Sequence, residues 1–422
     1  MSQNKAFNAP FLLAVIGIYL SYFLHGVSVI TLAQNMTPLA TKFGTDNAGI
    51  AYLISGIGLG RLISILFFGV ISDKFGRRFV ILLGVILYIV FFFGIPASPN
   101  LIVAFILAVC VGVANAALDT GAYPALMECY PKTSGSAVIL IKAMVSFGQM
   151  FYPLLVGYLL VNHIWYGYGI IIPGILFIFV TLLLLKSKFP SQLVDANITK
   201  DLPQMNQKPL AWLEGVASIV FGVAIFSTFY VIVVWMPKYA MAYAGMAEAD
   251  ALKTISYYSI GSLVCVFVFA LLLKRMVRPV WANVFNSGLA VAAGIVIYLY
   301  PSSLVCNVGS FIIGFSAAGG LLQLGVSVMS EFFPKSKARV TSLYMLMGGL
   351  SNFLIPLITG YLSEIGLNYI ILLDVAFAIL AFITAIIVFV RYYKIFNIPA
   401  NDVRLGERFF IIRKEDGKPL HL

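Results

Sequence analysis

The chain has 422 residues, of which 61% are hydrophobic and 10% charged, and its formal net charge is +11. Soluble globular chains carry roughly 45–50% apolar and about 25% charged residues. The composition therefore excludes an ordinary water-soluble domain and points to a polytopic membrane protein whose solvent is the lipid bilayer. The excess positive charge is explained by its position along the chain, so no nucleic-acid partner is expected. Four cysteines (Cys110, Cys129, Cys265, Cys306) sit within or at the ends of apolar segments without metal-type spacing, and read as packing residues.

Taken in order, the polar start MSQNKAFNAP runs into an apolar segment with no obvious small-residue cleavage site, so no cleavable signal is expected. Twelve apolar spans of about 20 residues follow, the length that a ~30 Å hydrocarbon core demands. They run over 11–33, 48–71, 79–97, 101–127, 135–161, 165–186, 211–235, 251–273, 280–300, 303–330, 339–362 and 367–391. A polar stretch with Pro190, Pro203 and Pro209 separates spans 6 and 7. The expected division is an N-terminal six-helix bundle (1–186), a cytoplasmic linker (187–210), a C-terminal six-helix bundle (211–391) and a cytoplasmic tail (392–422). The fold class is all-α integral membrane, twelve transmembrane helices in two six-helix bundles.

Charge sets the expected orientation. With the N-terminus inside, Lys42, Lys238 and Lys253 fall outside and Arg61 and Lys142 fall within spans, leaving 27 − 3 − 2 = 22 basic residues on the cytoplasmic side. The positive-inside rule then puts both termini in the cytoplasm of a multi-pass protein of the cell membrane. The halves also echo each other at an offset of 203 residues: Glu128 to Lys132 against Glu331 to Lys335, Pro153 against Pro356, and Gly157-Tyr158-Leu159 against Gly360-Tyr361-Leu362. Parallel repeats of this kind build many transporters.

The segment Asn115 to Pro131 carries the leading site candidate. Asp119 lies inside an apolar run, where an ionised carboxylate costs about 2.5–3.5 kcal/mol even on lenient insertion scales. Asn115, Asp119 and Tyr123 at i, i+4 and i+8 put three polar groups on one helical face. A carboxyl that alternates between a cationic partner and different surroundings can take up and release a proton, which makes Asp119 the candidate proton-coupling residue. Arg61 is twelve residues above Asp73, ~18 Å at 1.5 Å per residue, and Asp119 nine residues above Glu128, ~13–14 Å. Those depths allow Arg61 to pair with Asp119. Lys142, with Ser146 and Gln149 on its face, is the other candidate partner, or meets an anionic solute, or instead leans toward the cytoplasmic interface by snorkelling. His25 is a second proton-coupling candidate, because its side chain titrates nearest neutrality. Candidate solute-binding residues are Asn115, Tyr123, Arg61, Lys142 and Gln149 in the first half, and Tyr230, Gln323 and Asn352 in the second. Asp374, in span 12, reads as peripheral. No phosphate loop, metal-ligand cluster or nucleophile triad is visible, so no enzyme, cofactor or metal is expected.

The loop after span 2 reads Gly69-Val-Ile-Ser-Asp73-Lys74-Phe-Gly76-Arg77-Arg78. It resembles the G-x-x-x-D-R/K-x-G-R-R/K signature of the major facilitator superfamily, at the position where that family carries it. The endings Glu128-x-x-Pro131 and Glu331-x-x-Pro334-x-x-x-x-Arg339 resemble the family's pattern after its fourth and tenth helices. The resemblance implies the major facilitator fold, with Gly69, Asp73, Gly76, Arg77, Arg78, Glu128, Glu331 and Arg339 acting as a conformational latch rather than a solute site. Within the family, Leu118-Asp119-Thr120-Gly-Ala-Tyr-Pro124 looks like the helix-4 segment of the fucose/galactose/glucose:proton symporter group. The expected function is proton-coupled symport of a small polar organic solute, a sugar or an organic acid, by a monomer whose partners are that solute, protons and the lipid bilayer. A multidrug/proton antiporter and a transporter-like solute sensor are the alternatives.

Overall fold

Water cannot satisfy backbone groups in hydrocarbon, so a spanning chain without barrel-type strands must close its hydrogen bonds within helices. The structure, a computed structural model, describes residues 11–130, 134–190, 205, 209–275, 278–318, 321–333 and 337–397, and among these it is helical with no strand. The first set comprises α1 (Leu12–Gln34), α2 (Met36–Phe43), α3 (Asn47–Phe75), α4 (Arg77–Ala97), α5 (Leu101–Cys129), α6 (Ser134–Val161) and α7 (Gly167–Lys186). The second comprises α8 (Val216–Ala244), α9 (Glu248–Arg275), α10 (Pro279–Leu299), α11 (Ser303–Ile313), α12 (Leu321–Phe332), α13 (Lys337–Ile365) and α14 (Leu367–Ile395). Most of the expected linker (191–204 and 206–208) and the tail from 398 lie outside the described residues.

Eleven helices are long and apolar enough to cross a membrane, and Ser303–Ala317 is a shorter apolar helix. Together they account for the twelve spans. Two features depart from the hydropathy reading. Span 10 is divided, with a π-helical turn over Gly314–Ala318 between α11 and α12, where Gly314 passes directly against the carbonyl of Tyr258 on α9. The short α2 was not among the spans, because eight residues of mixed polarity carry no spanning signal.

Helix ends follow local chemistry. Asp46 accepts from the Gly49 amide (2.9 Å) and Asn100 from Val103 (3.0 Å), capping α3 and α5. Gly76, at φ 90°, makes the turn from α3 into α4 in a conformation L side chains rarely adopt. Repeat partners occupy matching places: Glu128 and Glu331 near the ends of α5 and α12, Pro153 and Pro356 inside α6 and α13.

Between helices in lipid, close packing replaces the hydrophobic drive, and small residues allow it. The approach that matters most is α3 on α5: a Cβ on Gly60 would collide with the Val109 carbonyl, and one on Gly112 with that of Ile57. Across the two sets, α3 packs along α13 and α6 along α9. The end bearing Lys74, Arg77, Arg78, Lys186, Arg391 and Lys394 is called the basic end. At the opposite end the sets are fastened by Thr37 of α2, whose hydroxyl donates to Glu248 and accepts from Lys238, with Lys238 Nζ 3.6 Å from Glu248. Nearer the middle, Ser256 donates to the Met150 carbonyl (2.8 Å) and Ser146 bonds Ser262 (3.1 Å). Gly58 lies against the Asn352 backbone, whereas a Cβ on Gly69 would meet nothing within 4 Å. The seam between α3 and α13 is thus tight in the middle at Gly58 and toward the opposite end, where Gly360 lies against Tyr52 and Ala51.

Candidate functional site

The glycine contact between α3 and α5 sets the register of the next residue. Arg61 follows Gly60 directly, and its Nη2 lies 2.8 Å from Asp119 Oδ2. The depth calculation allowed this pairing, and the geometry selects it over Lys142. The other carboxylate oxygen accepts from the Tyr22 hydroxyl of α1 at 2.8 Å. Asp119 is thus held by a cation on one helix and a phenol on another. The pair is not sealed: both side chains are 21% exposed. A charged pair at this depth does not face lipid, so its exposed edge belongs to the space between the helices.

A second chain of bonds adjoins it. His25 Nδ1 lies 2.6 Å from the Tyr88 hydroxyl, which in turn bonds Asn115 Oδ1. Tyr22 packs edge-on to both His25 (5.8 Å) and Tyr123 (5.9 Å), and Tyr88 stacks on Phe177 at 4.8 Å. Asn115, Asp119, Tyr123 and His25, all expected from sequence, therefore form one cluster with Arg61. Tyr22 and Tyr88 complete it and were missed. The signal was present, since Tyr22 stands three residues before His25 on the same face, but a tyrosine in an apolar run reads as packing unless its hydroxyl finds a partner.

Lys142 does not join this cluster. Its Nζ lies 5.8 Å from the ring centroid of Phe229 on α8, and among the described residues no carboxylate lies within 4 Å of it. Tyr230 is the next residue, packed edge-on to Phe229 at 5.6 Å and within electrostatic reach of Arg61. Gln149 and Asn352 are buried, and among the described residues Gln149 Nε2 and Asn352 Oδ1 have no hydrogen-bond partner. The side chain of Gln323 lies outside the described residues. Asp374, expected at the periphery, is instead buried near Thr228 of α8 and Tyr258 of α9, and Tyr258 packs against Phe229 at 6.1 Å.

At the basic end, Arg77 Nη1 contacts Asp73 Oδ1 (2.6 Å), its Nε lies 3.4 Å from Glu128 Oε1, and Arg78 donates to the Leu185 carbonyl (2.5 Å). In the second set Glu331 accepts from the Tyr392 hydroxyl at 2.6 Å. Arg391 Nε meets buried Glu214 Oε1 at 2.5 Å, tying α14 to the π-helical turn Ala211–Gly215 that precedes α8. The side chain of Arg339 lies outside the described residues. Among the described residues, no group of His, Cys, Asp and Glu could hold a metal ion.

Eleven membrane-length apolar helices that hold a partly exposed ion pair among them define a polytopic integral membrane protein. The profile of the Major Facilitator Superfamily matches residues 18–322. The chain is 78% identical over 413 residues to the inner membrane transport protein YdiN of Escherichia coli (strain K12), covering 98% of each chain. Among solved structures it is similar to a bacterial homologue of the human lysosomal transporter Spinster in an inward-facing, occupied conformation (TM-score 0.67, 17% identity, 91% of this chain and 97% of that one). It is also similar to a D-xylose-proton symporter (TM-score 0.71, 14% identity, 89% and 97%). The chain belongs to the major facilitator superfamily.

Proposed function

We propose that this transporter is a proton-coupled symporter of a small polar organic solute, with Asp119 as its coupling carboxyl. The observation that carries the reading is the double engagement of Asp119 by Arg61 and Tyr22 in a partly accessible position. Deprotonated, Asp119 occupies the Arg61 guanidinium. Protonated, it loses the charge that strengthens this bond, and Arg61 is freed to take a solute carboxylate in its place. Loading the solute thus requires loading the proton. Lys142, uncommitted to any described carboxylate, supplies a second positive charge. His25, bonded to Tyr88 and edge-on to Tyr22, is the second titratable group of the coupling path.

This arrangement favours an organic acid. A sugar is the second reading, favoured by the hydroxyl and amide groups of Tyr123, Asn115, Gln149, Tyr230 and Asn352 and by the helix-4 resemblance. We place the protein in the cytoplasmic membrane as a monomer with both termini inside. Its bundles are 1–186 and 211–391, and Asp73, Arg77 and Glu128 form the latch at the cytoplasmic end.

A thermal-shift screen of the purified protein tests the solute class, because a ligand of the folded state raises the melting temperature by mass action. Stabilisation by organic acids or sugar acids, changing between mildly acidic and mildly alkaline buffer, supports the reading. Stabilisation by lipophilic cations alone overturns it in favour of drug efflux, and pH-independent binding without transport in vesicles favours a sensor.

A further inference from the structure

Ionisable groups inside the helices are few, and Asp374 of α14 takes no part in the Asp119 cluster. It is 1% exposed, and among the described residues no lysine, arginine or histidine lies within 4 Å of it. Its Oδ1 has no hydrogen-bond partner there, and neither has the hydroxyl of Thr228 on α8 or of Tyr258 on α9, the polar groups beside it. All three atoms are sealed from water, which leaves no room beside them for a solvent molecule. An ionised carboxylate buried without a cation is too costly to persist and neutralises instead, and a proton is the one compensating charge that needs no space. The titratable group facing Asp374 from a neighbouring helix is the Tyr258 phenol. On the other helices packed against α14, Tyr298 of α10 lies by Tyr239, Tyr344 of α13 packs on Phe226 at 6.3 Å, and Glu364 of α13 is within electrostatic reach of Tyr52 on α3. The Arg391–Glu214 pair lies seventeen residues further along α14, ~26 Å away.

We propose that Asp374 is a second proton-binding site of this transporter, outside the Asp119 cluster, which holds a proton in the clasped arrangement and gives it up when the clasped end opens. The layer in front of it is aromatic: Tyr258 packs on Phe229 at 6.1 Å, and Phe229 faces Lys142 of the first set at 5.8 Å. When the two sets part, water reaches that layer, and a hydrated carboxyl can ionise. Asp374 stands seven residues from Leu367, ~10 Å from the clasped end of α14, and 21 residues, ~32 Å, from Ile395 at the basic end. Its proton therefore returns to the solution it came from and does not cross the membrane. The site leaves the coupling at Asp119 unaltered and adds a dependence on the pH of one side. The clasped state binds one proton more than the open state, so its population rises as that solution is acidified. The clasp itself runs the other way, because protonating Glu248 weakens its pairing with Lys238.

The test reads the width of the clasped end by double electron–electron resonance on the full-length protein with its own cysteines replaced. Spin labels sit on cysteines placed at Asn162 and Ser303, exposed residues of the first and second sets. Every arm carries Asp119→Asn, which silences the coupling carboxyl. In that background the ratio of clasped to open populations should fall as pH rises, by up to about tenfold per pH unit, the limit for one proton. Adding Asp374→Asn keeps the shape of the neutral carboxyl and should hold the end clasped at every pH, whereas Asp374→Glu should restore a pH response. Should Asp374→Asn fail to fold, Asp374→Ala is the second neutral variant, with the same loss of pH response expected. A ratio independent of pH with Asp374 in place would overturn the proposal. So would an equal pH response in the neutral variants. Because Asp119 is silent throughout, failure of this proposal does not touch its coupling role, nor does failure of that role touch this site.

Discussion

In the proposed symport Asp119 is the residue on which the chemistry turns, and its surroundings make separable predictions. Asp119→Asn keeps the shape and removes the charge; gradient-driven uptake should be abolished while solute exchange in the absence of a proton gradient persists, as measured in proteoliposomes. Tyr22→Phe removes one hydrogen bond, which inside membrane bundles averages only about 0.6 kcal/mol. The melting temperature should barely change, while proton-driven uptake falls because one carboxylate oxygen is no longer held. Lys142→Gln should weaken anionic solutes about tenfold, the scale of one charge-assisted hydrogen bond, and leave neutral sugars untouched. Equal loss for both classes, read from competition for uptake, would reject the organic-acid reading. Much of this cluster was legible in the sequence, because an ionisable group in an apolar span has few physical explanations. Asp119, Arg61 and His25 stand out by that rule alone, and Asn115 by sharing a helical face with Asp119. Tyr22 and Tyr88 do not, since only the crossing of helices decides whether a tyrosine hydroxyl is bonded. The choice between Arg61 and Lys142 was equally invisible, because the sequence does not say toward which neighbour α6 turns Lys142; in the structure that neighbour is Phe229.

At the scale of elements, the α3–α5 crossing positions the site. Gly60 and Gly112 bring two backbones together, and the register this fixes delivers Arg61 to Asp119. Gly112→Leu should force the helices apart, lowering the melting temperature by several degrees and uncoupling uptake together. Overpacking of this kind typically costs about 1–3 kcal/mol. An unchanged melting temperature would mean that the helices tolerate separation and that the crossing does not set the register. The turn at Gly76 is a different element with a different role. Asp73→Asn removes one partner of Arg77 and should slow turnover with near-normal solute affinity; a large affinity loss would place the loop in the solute site. Hydropathy gave the long helices their places, because length and apolarity are set locally. It could not give the break after Ile313, which arises where Gly314 presses against α9.

Across the whole molecule, the two sets meet along α3–α13 and α6–α9 and are clasped at one end by Thr37, Lys238 and Glu248. Transport by alternating access requires this clasp to open when the other end closes. Glu248→Gln should weaken it by about 0.2–1 kcal/mol, the range of partly exposed ion pairs, shifting the population toward the state open at that end. In a cysteine-free background, a single cysteine at Ser256 should then react faster with a membrane-impermeant maleimide; an unchanged rate would show that the clasp does not hold the seam.

The most direct measurement is solute accumulation in proteoliposomes under an imposed inward proton gradient, using a membrane-impermeant sugar acid, compared between wild type and Asp119→Asn. Wild type should concentrate the solute above its external level and lose that ability when the gradient is collapsed, while Asp119→Asn should only equilibrate it. Accumulation by Asp119→Asn equal to that of wild type would contradict the assignment of the coupling proton to this carboxyl.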